Sequence, residues 1–176
     1  LELPADSHLI AAMNPCPCGY LGDPAQHCRC TPRAIQRYRG RISGPLLDRI
    51  DLRVEVPRPT MAELIGPAGE ATPAAASPRT LVTCARRRQL ERQQCLNARL
   101  PPAVMASCCA LEREANELLL RVAEQLSLSG RGLHRLLRVA RTAADIDAAE
   151  RIGAAHLAEA IQLRRPLPGS VEEPIA

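Results

Sequence analysis

The chain has 176 residues, enough for one ordinary domain or two small ones, and 46% of them are hydrophobic, so a core can form. With no Trp, no Phe and only Tyr20 and Tyr38 as aromatics, Leu, Ala, Ile and Val must fill that core, which disfavours an aromatic-rich sheet and favours helices packed through Leu and Ala stripes. All 23 basic residues are Arg; a phosphate-binding P-loop needs a Lys that Arg does not replace, so this sequence excludes one, while the net charge of +4 permits nucleic-acid contact without demanding it.

In chain order, Ser7 to Met13 is a short apolar run that predicts a buried strand, stopped by Asn14-Pro15. Residues 16–31, rich in Cys, Gly, Pro and Asp, predict a loop. Thr31 as N-cap and Pro32 at the first position predict a short helix to Arg41. Ser43-Gly44-Pro45 breaks it, and Leu46 to Arg49 reads as one more helical turn. Ile50 to Val56 alternates apolar and polar, the pattern of a strand with one polar face. The Pro-, Gly- and Ala-rich stretch that follows predicts a linker over 59–78.

Beyond it the pattern is helical. Ser77-Pro78 opens a helix expected to run to about Arg99, and Pro101-Pro102 ends that segment. A second helix is expected from Cys109 to Leu126, with Leu111, Ala115, Leu118, Leu119 and Val122 on one face. Ser129-Gly130 opens a third, striped by Leu133, Leu136, Leu137, Ala140 and Ala144. The fourth spans about Gly153 to Leu163, stopped by Pro166 and Pro168 ahead of a loose tail at 168–176. The second half is thus expected to be a small helical bundle, able to fold apart from the 1–58 segment.

No apolar run is long enough to span a membrane, and Leu1 to Leu9 lacks the charged start and apolar stretch of a secretory signal. The expectation is a cytoplasmic protein. The chain starts at Leu1 and not at Met, which fits a piece of a longer one.

In that compartment clustered cysteines suggest a metal more than disulfides. Cys16-Pro17-Cys18 and Cys28-Arg29-Cys30 form two close pairs whose four thiolates can wrap a tetrahedral Zn²⁺. The pairs are tighter than the usual C-x-x-C, and His27 beside Cys28 is a further candidate ligand. Free thiols, disulfides and an iron–sulfur cluster are the alternatives. Zinc here would pin a loop and do no chemistry, because four thiolates leave no open position. Cys84, Cys95, Cys108 and Cys109 read as small packing residues.

Three polar residues could act on a nucleotide. Asn14 follows the expected strand, where ligand contacts recur in α/β folds, or simply makes an Asn-Pro turn. Arg49 stands between Asp48 and Asp51, as part of an ion pair or as a cation delivered across an interface to a phosphate. Arg131, Arg135, Arg138 and Arg141 fall three or four apart and form a basic stripe, ordinarily a solvated face. Arg131 differs because it lies in the first helical turn, where backbone N–H groups favour an anion.

Three stretches together resemble the C-terminal part of ComM-type proteins, AAA+ ATPases related to the magnesium-chelatase I subunit: A-A-M-N-P-C-P-C-G-Y (11–20), R-Y-R-G-R-I-S-G-P-L-L-D-R-I-D (37–51) and L-S-G-R-G-L-H-R-L-L-R-V-A-R-T-A-A-D (128–145). The resemblance implies a mainly α chain: the end of an AAA+ α/β core with two short strands and a Cys-rich loop, followed by a four-helix lid bundle. The core end would occupy 1–58 and the lid 79–167. The resemblance also implies roles. Asn14 matches sensor 1, which orients the attacking water near the γ-phosphate. Arg49 matches the arginine finger, acting on the neighbouring subunit's nucleotide, and Arg131 matches sensor 2, acting on its own subunit's. Cys16, Cys18, Cys28 and Cys30 match a zinc-finger-like insertion. The Walker elements, with ATP and Mg²⁺, belong to a missing N-terminal half, so the full-length protein is expected to be an ATPase and this chain alone is not. A homohexameric ring and DNA branch migration in natural transformation are implied too. The alternatives are a chelatase motor that inserts a metal into a porphyrin, and a non-enzymatic zinc-binding module that contacts nucleic acid.

Overall fold

The computed structural model describes residues 7–65, 77–126 and 128–164. The expected loose tail and the centre of the expected linker lie outside them. The chain forms two compact units that divide between Ser43 and Gly44, so residues 44–58 group with the helices that follow and not with the Cys-rich loop.

In the first unit, the Thr31 hydroxyl accepts from Ala34 N at 3.3 Å and Pro32 supplies a pre-set first residue, opening α1 (Pro32–Arg39). Before it lies the Cys-rich loop, which turns twice through left-handed glycines, Gly19 at φ +84° and Gly22 at φ +83°. The Asp23 carboxylate caps one turn by accepting from Ala25 N at 2.7 Å and Gln26 N at 3.1 Å. Arg39 ties α1 to the start of the loop by donating twice to the Pro15 carbonyl, both at 3.1 Å.

The second unit begins with the single turn α2 (Gly44–Leu47) and a segment without regular structure, then the short α3 (Met61–Ile65) inside the expected linker. The longer helices are α4 (Pro78–Gln93), α6 (Arg113–Gln125), α7 (Gly130–Ile146) and α8 (Ala154–Gln162), with the short α5 (Met105–Cys108) between α4 and α6. Ser77 and Ser129 cap α4 and α7 through their hydroxyls. Central α7 packs against α4 and α8, and α8 against α6. The core they enclose is aliphatic: Leu100, Met105, Leu119, Leu136, Ile152 and Leu157, with Ala115, Ala140, Ala144 and Ala160 where backbones approach. The Leu and Ala stripes of α6 and α7 supply Ala115, Leu119, Leu136, Ala140 and Ala144 to it, and Cys109 is buried there as a packing residue. The chain is therefore mainly helical.

Two expectations need correction. No strand forms among the described residues; only an isolated parallel bridge joins Leu111 to Ile152. The segments 7–13 and 50–56 have no regular structure and find no ladder partner, and a strand without a partner is not stable. Their apolar residues therefore face solvent, Leu9 and Ile10 in the first and Leu52, Val54 and Val56 in the second. The second concerns helix ends. The helix expected to reach Arg99 stops at Gln93, because Gln94 turns left-handed at φ +58° and Asn97 N donates to the Gln89 side chain at 3.0 Å. The next helix starts at Arg113 and not Cys109, because residues 110–112 hydrogen-bond to Ile152.

Candidate metal centre and nucleotide-contact residues

The loop geometry brings four sulfurs together. Cys16 Sγ lies 3.4 Å from Cys18 Sγ and 3.7 Å from Cys28 Sγ, and Cys18 lies 3.6 Å from Cys28. With Cys30 Sγ, all four fall within 4.8 Å of one another. A disulfide would need about 2.05 Å, and all four are free thiols. A tetrahedral ion with bonds of about 2.3 Å to sulfur holds its ligands about 3.8 Å apart. The cluster thus fits one metal ion, and an all-thiolate donor set is compatible with zinc. Cys16 is buried and the other three partly so, while His27 is exposed and outside the cluster. The electrostatics point the same way. Backbone hydrogen bonds at Tyr20 and Arg29 pull the Cys18 thiol down to about 6. The Cys30 thiol, held protonated as a donor toward Cys18 and by desolvation, rises to about 12. One negative charge is therefore readily accommodated among the four sulfurs and further ones repel each other; a bound cation removes that conflict.

Asn14 is exposed and lies two residues before Cys16, at the end of a segment where no strand forms. Arg49 and Arg131 belong to the second unit, and both are exposed. Arg49 pairs with neither Asp48 nor Asp51. Its Nη1 donates to the Pro45 carbonyl at 3.0 Å, at the start of α2, while Asp51 accepts from Arg135 at 3.1 Å. Arg131 stands in the first turn of α7, after the Ser129 cap.

The rest of the expected basic stripe is not a solvated face. Arg135 is engaged by Asp51, Arg138 donates to the Leu100 carbonyl at 2.6 Å, and Arg141 is fully buried. Arg141 and Asp145, one turn apart on α7, form the centre of an internal network. Asp145 accepts from Arg141 Nε at 3.1 Å, from both terminal nitrogens of Arg92 at 2.6 and 3.0 Å, and from Asn97 Nδ2 at 2.8 Å. Arg141 Nη1 and Nη2 donate to the Glu150 and Ala149 carbonyls at 2.8 and 2.5 Å. Burial alone would raise the Asp145 carboxyl, but hydrogen bonds from Arg92 and Asn97 and the two guanidinium charges outweigh it and hold it below the ordinary range. Sequence reasoning missed this network. The available signal was an Arg and an Asp at i and i+4 flanked by Ala140 and Ala144, residues of the apolar stripe.

A second connection was equally illegible. Arg53 N donates to the Leu163 carbonyl at 2.7 Å and Arg53 Nη2 to the Leu47 carbonyl at 3.1 Å. With the Asp51–Arg135 pair, these bonds fasten the segment after Arg49 to α7, which carries Arg131, and to the end of α8.

The sequence family described as magnesium chelatase, subunit ChlI, matches residues 1–64, and its C-terminal counterpart matches residues 73–164. The chain is 42% identical over 165 residues to the uncharacterized protein YifB of Salmonella typhimurium. It is 43% identical over 168 residues to YifB of Escherichia coli, and 40% identical over 167 to the competence protein ComM of Haemophilus influenzae. Each match covers 93% of this chain and 32% of the relative, so the chain spans about a third of the length of the curated relatives it matches. With a single family description matching 73–164, more than half of its length, and the companion description matching 1–64 ahead of it, the chain belongs to the magnesium-chelatase ChlI family, as a ComM-type magnesium-chelatase-like protein.

Proposed function

We propose that this chain is the arginine-bearing C-terminal part of an AAA+ subunit that hydrolyses ATP, assembles into a cytoplasmic homohexamer and moves DNA. The observation that carries this reading is the state of Arg49 and Arg131. Both motif arginines are exposed on one unit; Arg49 donates through Nη1 to the Pro45 carbonyl and has no carboxylate partner among the described residues, and Asp51 is committed to Arg135. Each cation is thus available to a phosphate. Phosphoryl transfer spreads negative charge over the γ-phosphate oxygens, and positioned cations stabilise it. Arg49 serves the neighbouring subunit's nucleotide, Arg131 serves its own, and Asn14 orients the attacking water. ATP, Mg²⁺ and the Walker residues are contributed by the rest of the whole protein. In this reading 7–13 and 50–56 complete a sheet with that remainder, which gives their exposed apolar residues a partner. The α4, α6, α7 and α8 helices form the lid. Zinc on Cys16, Cys18, Cys28 and Cys30 pins the loop after Asn14.

The likeness to a competence protein favours DNA handling in natural transformation. The family description favours a second client, a porphyrin that receives a metal. ATP turnover by the whole protein separates them. Stimulation by DNA, and none by a porphyrin with Mg²⁺, is the expected result. Stimulation by the porphyrin alone would assign the chelatase role, and no ATP turnover under any condition would reject both.

A further inference from the structure

The first unit presents a basic face that neither the metal cluster nor the nucleotide residues use. Between Asp23 and Asp48 the sequence contains no acidic residue, yet it places Arg29, Arg33, Arg37, Arg39 and Arg41 there. On α1 the residues sort into two faces. Ala34, Ile35, Tyr38 and Arg39 are half-buried, and Arg39 is spent on the Pro15 carbonyl. Arg33, Gln36, Arg37 and, one turn further, Arg41 are exposed. Arg33 and Arg37 are four apart, so their side chains rise together from one face. The Arg41 N–H bonds the Tyr38 carbonyl at 3.3 Å, which continues the turn and keeps Arg41 in register. None of the three has a carboxylate partner among the described residues, in contrast to α7, where Asp51 and Asp145 absorb Arg135 and Arg141. Cations a turn apart without counter-charges suit a polyanion whose charges repeat, and a row of arginines suits phosphodiester groups, which guanidinium binds through paired N–H groups. Tyr20, exposed and one of only two aromatics in the chain, lies in the same unit and offers a ring on which an unpaired base can stack.

We propose that the outer face of α1, through Arg33, Arg37 and Arg41, is a contact surface for the sugar–phosphate backbone of a single-stranded nucleic acid, anchored beside the four-cysteine loop. This rests on the nucleic-acid client proposed above but needs neither ATP nor a ring, so it is tested on the 176-residue chain itself. A fluorescein-labelled 30-mer is titrated by anisotropy as single-stranded DNA, as RNA of the same sequence and as duplex DNA, between 50 and 200 mM salt. The variant is Arg33→Gln/Arg37→Gln/Arg41→Gln. A charge-matched control, Arg79→Gln/Arg113→Gln/Arg121→Gln, removes three exposed arginines from α4 and α6. Three lost phosphate contacts, each contributing about 0.7 to the salt slope on a single strand, make wild-type affinity fall about 20-fold more than the α1 variant's over that range. The control should stay within about twofold of wild type. Unchanged helical circular dichroism and cysteine titration of the α1 variant show that the fold is kept. Equal losses in both variants would mean that net charge and not this face binds, and would overturn the proposal. So would binding only to anionic phospholipid vesicles, or to duplex in preference to both single strands. Failure of DNA to stimulate ATP turnover, with this binding intact, would remove the motor reading and leave the surface standing.

Discussion

Replacing Asp145 by Ala tests the internal network where it is most exposed to failure. The carboxylate is the single acceptor at which Arg92, Arg141 and Asn97 converge, and it is 1% exposed, as against 0% for Arg141. The substitution leaves the Arg141 guanidinium buried with backbone carbonyls as its only remaining partners. Removing one partner of such a pair costs about 3–5 kcal/mol, far more than the pair's net worth, because an uncompensated charge stays inside. At a slope of about 1.5 kcal/mol/M, the urea midpoint should fall by about 2–3 M. The pH dependence has a fixed sign. The native carboxyl titrates below the ordinary value, so its contribution is complete above about pH 4 and is lost as pH falls through the depressed native value. The wild type should therefore lose stability on acidification below pH 4 more steeply than the variant. A loss under about 1 kcal/mol, the size of an exposed pair, or parallel acid profiles in the two proteins, would refute the reasoning.

The chain purified without chelators should carry about one zinc equivalent, the stoichiometry of a four-ligand site; freely titratable Cys16, Cys18, Cys28 and Cys30 with no metal would count against the cluster as a site. Stripping the metal should release amide protection around residues 16–30 and leave α4, α6, α7 and α8 protected, since their core is aliphatic and contains none of the four sulfurs; collapse of the helical signal would contradict that division. Calorimetric titration of the chain with ATP and Mg²⁺ should give no tight binding, because no P-loop Lys is present; micromolar affinity would overturn this. Asp51→Asn should leave global stability within about 1 kcal/mol, as for any partly exposed pair, while speeding amide exchange over 48–56; unchanged exchange there would mean that Arg135 does not hold the segment.

The legible parts of the fold were those set by neighbours in sequence. Thr31-Pro32 and Ser129-Gly130 marked helix starts because capping acts over three residues. The stripes of α6 and α7 marked the core because their period is that of a helix. The four-cysteine cluster was legible because two close pairs in one loop have little choice but to meet. What failed depended on partners far away. The alternation over 50–56 promised a strand, but alternation records only which side chains could share a face, and no neighbouring strand lies among the described residues. Past the left-handed Gln94, where α4 stops, Asn97 is held by the Gln89 side chain and by Asp145, 48 residues on, and no local pattern announces that second partner. Arg141 read as a solvated charge because nothing nearby in sequence shows that Arg92 and the Ala149 and Glu150 carbonyls would surround it.

Mixing inactive subunits of the whole protein tests the central claim most directly. Arg49→Ala removes the cation expected to serve the adjacent subunit's phosphate, a contribution of about 10³–10⁵ in rate for arginine fingers, and leaves that subunit's own phosphate site intact. A subunit lacking its P-loop Lys has the opposite defect. Each alone should be nearly inactive, and rings formed from both should recover partial ATP turnover, because some interfaces then join an intact phosphate site to an intact Arg49. Mixed rings that assemble, as shown by co-purification of two tags, yet remain as inactive as either parent would contradict the assignment of Arg49 across the interface.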